Sequence, residues 1–353
     1  MTEGRAGDDQ LESNGPVPTK TCLAPAYHPS SQGHCAPHTS PRTSDISPIP
    51  GVTIIFVAAG ASRLLVRAMS SLLTNHPGIP IEVIIVANLE SAARPNPRIR
   101  IPQSSGVQLR LITVNANLGY GRAANCALRL ARSELVAIAN PDIEFLPGTL
   151  SNLVNWLSTH PETGIVAPQF LWPDLSAQPS ARRYPRLRYL LAGRRLAHLR
   201  LGLDLGLAQE FQYAGIEDQP DAVSVETAIG AFLLTRRELL TRLGGFDERF
   251  ILFVEDVDLC QRCRQAGLDV AVLPWARMIH LGGGTRATAP ASTEFLRLRS
   301  FLHYFRDVYS HRFLLTRLLT ILFGLYLTLL LVGRALGIRE REHRGLRRAS
   351  NEQ

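Results

Sequence analysis

Gly244-Gly245-Phe246-Asp247-Glu248-Arg249-Phe250-Ile251-Leu252-Phe253-Val254-Glu255-Asp256-Val257-Asp258-Leu259-Cys260 is the stretch on which the reading of this chain turns. Two glycines open it, and a carboxylate pair, Glu255-Asp256, stands where an apolar stretch gives way to an amphipathic helix, predicted over 256–266. A helix N-terminus carries partial positive charge, which favours ionised carboxylates. One of the two can then serve as a base at neutral pH. The same pair also reads as ordinary dipole partners in a first helical turn.

A second acidic signal lies upstream. Leu135-Val136-Ala137-Ile138-Ala139 is an apolar run of strand length that ends in Asn140-Pro141-Asp142. A strand running out into an Asx-Pro turn puts Asp142 at the carboxyl edge of a sheet, where open α/β sheets bind ligands. One carboxylate plus the oxygens of a diphosphate suits magnesium or manganese. Turn chemistry alone also accounts for Asn-Pro-Asp. Before it, Asn117-Leu118-Gly119-Tyr120-Gly121-Arg122-Ala123-Ala124-Asn125 is a glycine loop leading into an Ala-rich helix, a joint that can hold a phosphate or sugar. Its spacing is not that of a dinucleotide fingerprint.

Segments of strand and helix character alternate, which predicts an α/β fold with a mostly parallel sheet. The strands fall at 52–57, 83–86 and 135–139; the helices fall at 62–73, 121–131, 148–158, 236–243 and 256–266. At 353 residues and 45% apolar content the chain can build one large core. Residues 1–50, rich in Pro, Ser, Thr and Gly, read as a disordered tail without a signal-peptide apolar region. The catalytic domain is expected over 51–300, and 301–353 as a membrane-associated helix with a basic tail.

The order of the motifs carries a resemblance. N-L-G-Y-G-R-A-A-N, A-N-P-D-I-E-F-L-P-G, Q-P-S-A-R-R-Y-P, G-A-F-L-L-T-R-R, G-G-F-D-E-R-F-I-L-F-V-E-D-V-D-L-C and H-L-G-G-G-T follow one another over about residues 52–285. This series resembles the family 2 glycosyltransferases, especially the rhamnosyltransferase-like branch. The resemblance implies a GT-A (Rossmann-like) fold and inverting transfer of a sugar, rhamnose on branch resemblance, from a nucleotide-sugar. It matches Asp142 to the carboxylate that holds the metal–diphosphate. It matches Asp256, or Glu255, to the base that deprotonates the acceptor. It matches His280 to a histidine that completes the metal site in some relatives; a lone His at a strand end also reads as structural. The donor-binding set expected is Asn117, Gly119, Gly121, Asn125, Asn140, Asp142 and Arg182, and the cofactor a divalent metal, Mg or Mn. Ala58-Ala59-Gly60 stands where relatives carry Thr-Tyr-Asn, and Ala87-Asn88 where they carry Asp-Asn. Those departures carry the alternative of a degenerate, non-catalytic, membrane-associated binding protein.

Two basic regions bear on partners. Arg182, Arg183, Arg186, Arg188, Arg194, Arg195 and Arg200 occur with aromatic and leucine residues between them. Basic plus apolar character suits a membrane surface carrying a lipid-linked glycan acceptor; a solvated helix face also fits. The uncharged stretch 318–333 spans about 24 Å as a helix, short against a hydrocarbon core of about 30 Å. With arginines on both sides, an interfacial or re-entrant helix is expected. The expected location is the cytoplasmic face of the bacterial inner membrane, peripheral or monotopic. No nucleic-acid module accompanies the net charge of +8.

Overall fold

The computed structural model describes residues 19–21, 49–58, 63–75, 78–88, 107–114, 117–186, 211–282, 290–308, 317–318 and 321. Among these, ten strands form one sheet. In order across it they are β1 (Thr19–Thr21), β4 (Val107–Val114), β3 (Ile81–Asn88), β2 (Ile49–Ala58), β5 (Ser133–Ala139), β11 (Phe232–Arg236), β7 (Thr163–Leu171), β12 (Asp269–His280) and β6 (Ile143–Phe145), with β9 (Val223–Ser224) beside β12. The block from β1 to β5 is parallel, as is β7 with β12. β11 is antiparallel to both β5 and β7 and joins the two parallel blocks. A separate pair, β8 (Ala181–Arg182) and β10 (Thr227–Ala228), lies outside the sheet.

Among the described residues the α-helices are α1 (Arg63–Thr74), α2 (Tyr120–Leu128), α3 (Thr149–Thr159), α4 (Arg237–Arg242), α5 (Glu255–Gln265) and α6 (Pro290–Val308). The central strands alternate their side chains between two cores, because both faces are covered. Val52, Ile54 and Phe56 of β2 join Leu65, Ala68, Met69 and Leu72 of α1 in one core. The spacing i, i+3, i+4, i+7 puts those four on one helix face. Ile55 and Val57 join Ala123, Ala124 and Ala127 of α2 and Leu259, Cys260 and Cys263 of α5 in the other. Burial pushes both thiols up, Cys263 to about 11, so they are unreactive core groups.

The expected strands and helices lie within three residues of their expected bounds. Thr19–Thr21, inside the tail expected to be disordered, pairs with the edge strand β4. An open edge offers unpaired N–H and C=O groups that a Thr-rich segment can meet. The boundary expected between 300 and 301 falls inside α6. Tyr304 and Phe305 are buried in a third cluster with Phe250, Val254 and Val257, so α6 packs against the turn that leads into α5. Among the described residues no helix is long and apolar enough to cross a membrane. The run 313–332 lies outside them apart from Arg317, Leu318 and Ile321.

Candidate active site

β2, β3 and β5 end along one edge of the sheet, and Asp142 and His280 meet at that edge. Asp142 sits in the turn between β5 and β6, and His280 ends β12 opposite Ile143 of β6. The Leu281 N–H donates to the Asp142 carbonyl at 2.9 Å. His280 Nε2 lies 3.6 Å from Asp142 Oδ1. Gln178 orients the ring: its Oε1 is 2.7 Å from His280 Nδ1, and its Nε2 donates to the His280 carbonyl at 3.2 Å. An amide oxygen only accepts, so Nδ1 holds the proton and Nε2 turns a lone pair toward Asp142. Burial lowers the His280 pKa, against the opposing pull of the Asp142 charge.

Asp142 Oδ1 is buried and has no hydrogen-bond partner. An orphaned carboxylate oxygen facing an imidazole lone pair fits a shared cation, and the oxygen–nitrogen donor set suits magnesium or manganese. Among the described residues no group of three His, Cys, Asp or Glu side chains gathers around a metal position. An ion bound by Asp142 and His280 would take its remaining ligands from water and a substrate's diphosphate.

The second carboxylate site is built on backbone strain. Phe253 and Val254 have φ of 65° and 72°, in the left-handed region, immediately before Glu255. A β-branched residue is rarely found there, and each such residue costs roughly 1–3 kcal/mol. Surrounding contacts hold the turn. Phe250, Val254 and Val257 pack on Tyr304 and Phe305 of α6. The Ser300 hydroxyl donates to the Leu252 carbonyl at 2.8 Å. Arg249 and Asp307 pair at 2.9 Å, and Tyr120 N–H donates to the Ile251 carbonyl at 2.9 Å.

Glu255 and Asp256 emerge from this turn with different environments. Glu255 is buried and its Oε2 has no partner. Burial, then the neighbouring Asp256 charge, pushes its pKa up to about 8, against a backbone hydrogen bond and Arg182. Asp256 is half-buried. Its Oδ2 accepts from Gly230 N–H at 3.0 Å and its Oδ1 from Val257 N–H at 2.9 Å, which fixes the carboxylate plane. Each oxygen keeps a further lone pair. Asp258 points elsewhere and binds Arg262 Nε at 2.8 Å.

One short backbone segment, Ile229-Gly230-Ala231, ties these parts together. Gly230 N–H binds Asp256, and Gly230 C=O receives a long 3.5 Å contact from the Tyr120 hydroxyl. Ala231 C=O accepts from Asn140 N–H at 2.8 Å, two residues before Asp142. Ile229 N–H donates to Ser180 C=O at 3.0 Å, two residues after Gln178. A Cβ on Gly230 would stand 2.9 Å from the Asp256 Cβ, so only glycine fits. The Tyr120 hydroxyl stays neutral: burial raises its pKa first, followed by the charges of Glu255, Asp256 and Asp142.

The glycine loop before α2 serves the same turn. A Cβ on Gly119, at φ 82°, would meet the Ile251 carbonyl at 2.6 Å, and one on Gly121 would meet the Phe246 Cβ at 2.9 Å. Asn125 spends its amide on Phe246, donating to its carbonyl at 2.8 Å and accepting from its N–H at 2.9 Å. Gly119, Gly121 and Asn125 therefore have a defined job in fastening two distant motifs. Asn117 is exposed at the loop, and its Oδ1 accepts from Gly119 N–H and from Asn88 Nδ2. Asn88 is fully engaged by this loop, donating also to Gly119 C=O and accepting from Leu118 N–H. Ala58 and Ala87 are buried partners at the ends of β2 and β3; Ala59 and Gly60 lie outside the described residues. Arg182 lies on β8, close enough to Glu255 to oppose its raised pKa. Arg183 and Arg186 pair with Glu226 at 3.5 and 3.2 Å; Arg188, Arg194, Arg195 and Arg200 lie outside the described residues.

Comparison with known proteins agrees with this geometry. The family model "Glycosyltransferase like family 2" matches residues 50–302, and the chain belongs to that family. A curated relative, N-acetylglucosaminyl-diphospho-decaprenol L-rhamnosyltransferase of Mycobacterium tuberculosis, is 29% identical over 286 residues, 76% of this chain and 86% of the relative. Among solved structures, the mannosyltransferase PcManGT from Pyrobaculum calidifontis, with GDP-Man and Mn²⁺, matches with TM-score 0.50 and 20% identity over 77% of this chain and 68% of its own. GalNAc-T7, with UDP, GalNAc and Mn²⁺, matches with TM-score 0.52 and 13% identity over 66% of this chain. The chain spans 44% of the GalNAc-T7 chain. The fold is the GT-A fold, and the protein is a glycosyltransferase.

Tyr120, Gln178 and Gly230 join the site without having been singled out by the sequence. Each lies within a quoted motif, yet their roles come from hydrogen bonds to residues more than twenty positions away. Nothing in local spacing encodes such partners.

Proposed function

We propose that the chain transfers a sugar, with inversion, from a nucleotide-sugar to a hydroxyl of a lipid-linked glycan acceptor at a membrane surface during bacterial surface-glycan synthesis. The observation that carries this reading is the Ile229–Ala231 segment, which binds the Asp256 carboxylate on one side and the Asp142-bearing turn on the other. Inverting transfer needs those two functions at opposite ends of one sugar: a base for the acceptor and a holder for the leaving diphosphate. Asp256 takes the acceptor proton as the acceptor oxygen attacks the anomeric carbon. Glu255, with a pKa of about 8, is mostly protonated at neutral pH and is the poorer base there. Asp142 and His280 would hold the divalent metal, which stabilises the charge gathering on the diphosphate. Asn117, Asn140 and Arg182 line the donor side. Gly119, Gly121 and Asn125 shape that side through the backbone they hold.

The mycobacterial relative supports rhamnose as the sugar and a polyprenyl diphosphate sugar as the acceptor. Ala87, which stands where relatives carry an Asp, has no side chain to hydrogen-bond a nucleobase, so such contacts fall to backbone groups. The test is binding of nucleotide-sugars to the purified full chain, with manganese or magnesium and with chelator. Metal-dependent binding that disappears in Asp142→Ala is expected; affinity unmoved by chelator overturns the reading.

A further inference from the structure

We infer that the Tyr120 hydroxyl recognises the transferred sugar, donating a hydrogen bond to the hydroxyl on the ring carbon next to the anomeric carbon; the inference rests on the function proposed above. Tyr120 opens α2. Two contacts hold it that a phenylalanine would also make. Its N–H donates to the Ile251 carbonyl at 2.9 Å, and its ring meets Phe246 edge-on, with centroids 6.1 Å apart. Neither contact uses the hydroxyl. Among the described residues the hydroxyl's hydrogen-bond partner is the Gly230 carbonyl, at 3.5 Å, well beyond the roughly 2.7–2.8 Å of a good O–H···O bond. The nearby carboxylates do not take its proton up in a closer bond. Asp256 uses both oxygens on backbone N–H groups, and Glu255 Oε2 has no partner. The hydroxyl keeps a proton to give, and a polar group left so weakly bonded inside a protein is costly unless a ligand completes it.

Position and charge name what it meets. Gly230 N–H holds Asp256 at 3.0 Å, and Ala231 C=O holds Asn140, two residues before Asp142, at 2.8 Å. The hydroxyl thus stands on the segment that joins the base to the diphosphate holder. Burial, then the charges of Glu255, Asp256 and Asp142, keep the phenol neutral and able to donate. Carboxylates on both sides disfavour a phosphate at this hydroxyl and suit an uncharged sugar group. Transfer puts the anomeric carbon between the base and the leaving diphosphate. The sugar hydroxyl nearest that carbon is the one on the adjoining ring carbon. A hydrogen bond there strengthens as positive charge builds on the ring in the transition state. Tyr120 stays partly open to solvent, so a sugar can approach it.

The test compares the full-length wild type with Tyr120→Phe, which keeps the ring and the backbone bond. Calorimetry with manganese present follows three probes: dTDP-rhamnose, its 2-deoxy analogue and dTDP alone. Tyr120→Phe is expected to weaken dTDP-rhamnose binding about tenfold and to leave dTDP binding unchanged. The 2-deoxy analogue should bind the two proteins equally, because the bond is already missing. Wild-type affinity for dTDP-rhamnose in Tyr120→Phe overturns the inference. Equal losses for dTDP-rhamnose and dTDP give the hydroxyl a structural role and overturn it too. An undiminished loss with the 2-deoxy analogue moves the contact to another sugar atom and overturns the assignment. A wild type that binds dTDP-rhamnose no better than dTDP sinks the sugar contact alone. A wild type that binds neither with manganese sinks the reading beneath it.

Discussion

Asp256 and Glu255 are adjacent in the chain, and their surroundings give them different work. Asp256→Asn keeps one of the two backbone hydrogen bonds, because the amide nitrogen cannot accept, and removes the proton acceptor. Transfer should fall about 10²–10⁴-fold while donor affinity holds, and Asp258→Asn, whose carboxylate faces Arg262, should be mild. Turnover measured beside donor binding separates the two; near-normal turnover in Asp256→Asn removes it from the role of base. Glu255 supplies a pH signature. Its folded pKa, about 8, lies above its ordinary 4.5. The folded state therefore binds the extra proton between those values, and stability falls as pH rises from about 4.5 to 8. Glu255→Gln should flatten that slope and melt higher than wild type at pH 8; parallel melting curves would count against the buried proton. Gln178→Ala, which frees the His280 ring, should weaken metal affinity about 10–100-fold, read by manganese titration. The placement of Asp142, Asp256 and His280 at the ends of elements was legible because each stands where an apolar pattern breaks. Gln178 and Gly230 were not, because an amide that orients a ring and a glycine that admits a carboxylate look ordinary until the fold brings their partners in.

The element that matters most to Asp256 is one it does not belong to. α6 packs Tyr304 and Phe305 under the strained turn and bonds Leu252 through Ser300. Phe305→Ala should cost about 3–5 kcal/mol and lower turnover as well, because the turn loses its support. Ser300→Ala, a loss of about 1 kcal/mol, should reduce turnover with little change in melting temperature, and Ser300→Thr should restore it. If Ser300→Ala turns over normally, the hydroxyl does not position the turn. Five helices and the parallel strands β2, β3 and β5 were readable because their apolar residues follow 3.6 or strand-like patterns, whereas β4, β7 and β12 were not placed. The direction of β11 was not readable: Phe232–Thr235 reads as a buried strand either way up, and only its partners β5 and β7 make it antiparallel. α6 was missed because its apolar positions run on toward 313–332, and sequence alone does not show where a helix stops serving the core.

At the scale of the whole molecule, the catalytic domain and the apolar run are joined by very little chain. Cutting the chain after residue 312 should leave α6 and the turn intact, with metal-dependent donor binding retained and vesicle binding lost; sedimentation with vesicles reads the second. Vesicle binding that survives the cut places the lipid contact in the catalytic domain. α6 ends at Val308, and Phe313 follows after four residues, a reach of no more than about 18 Å. Phe305, directly under the base-bearing turn, lies one helical turn earlier. With the apolar run seated in lipid, the chain works as a short leash. The base sweeps a thin layer next to the bilayer, and encounters with acceptor become a search in two dimensions. The rate should then follow the mole fraction of acceptor in the membrane rather than its bulk concentration. Adding inert lipid at constant total acceptor should slow the enzyme in proportion, and an enzyme cut after residue 312 should be indifferent to it.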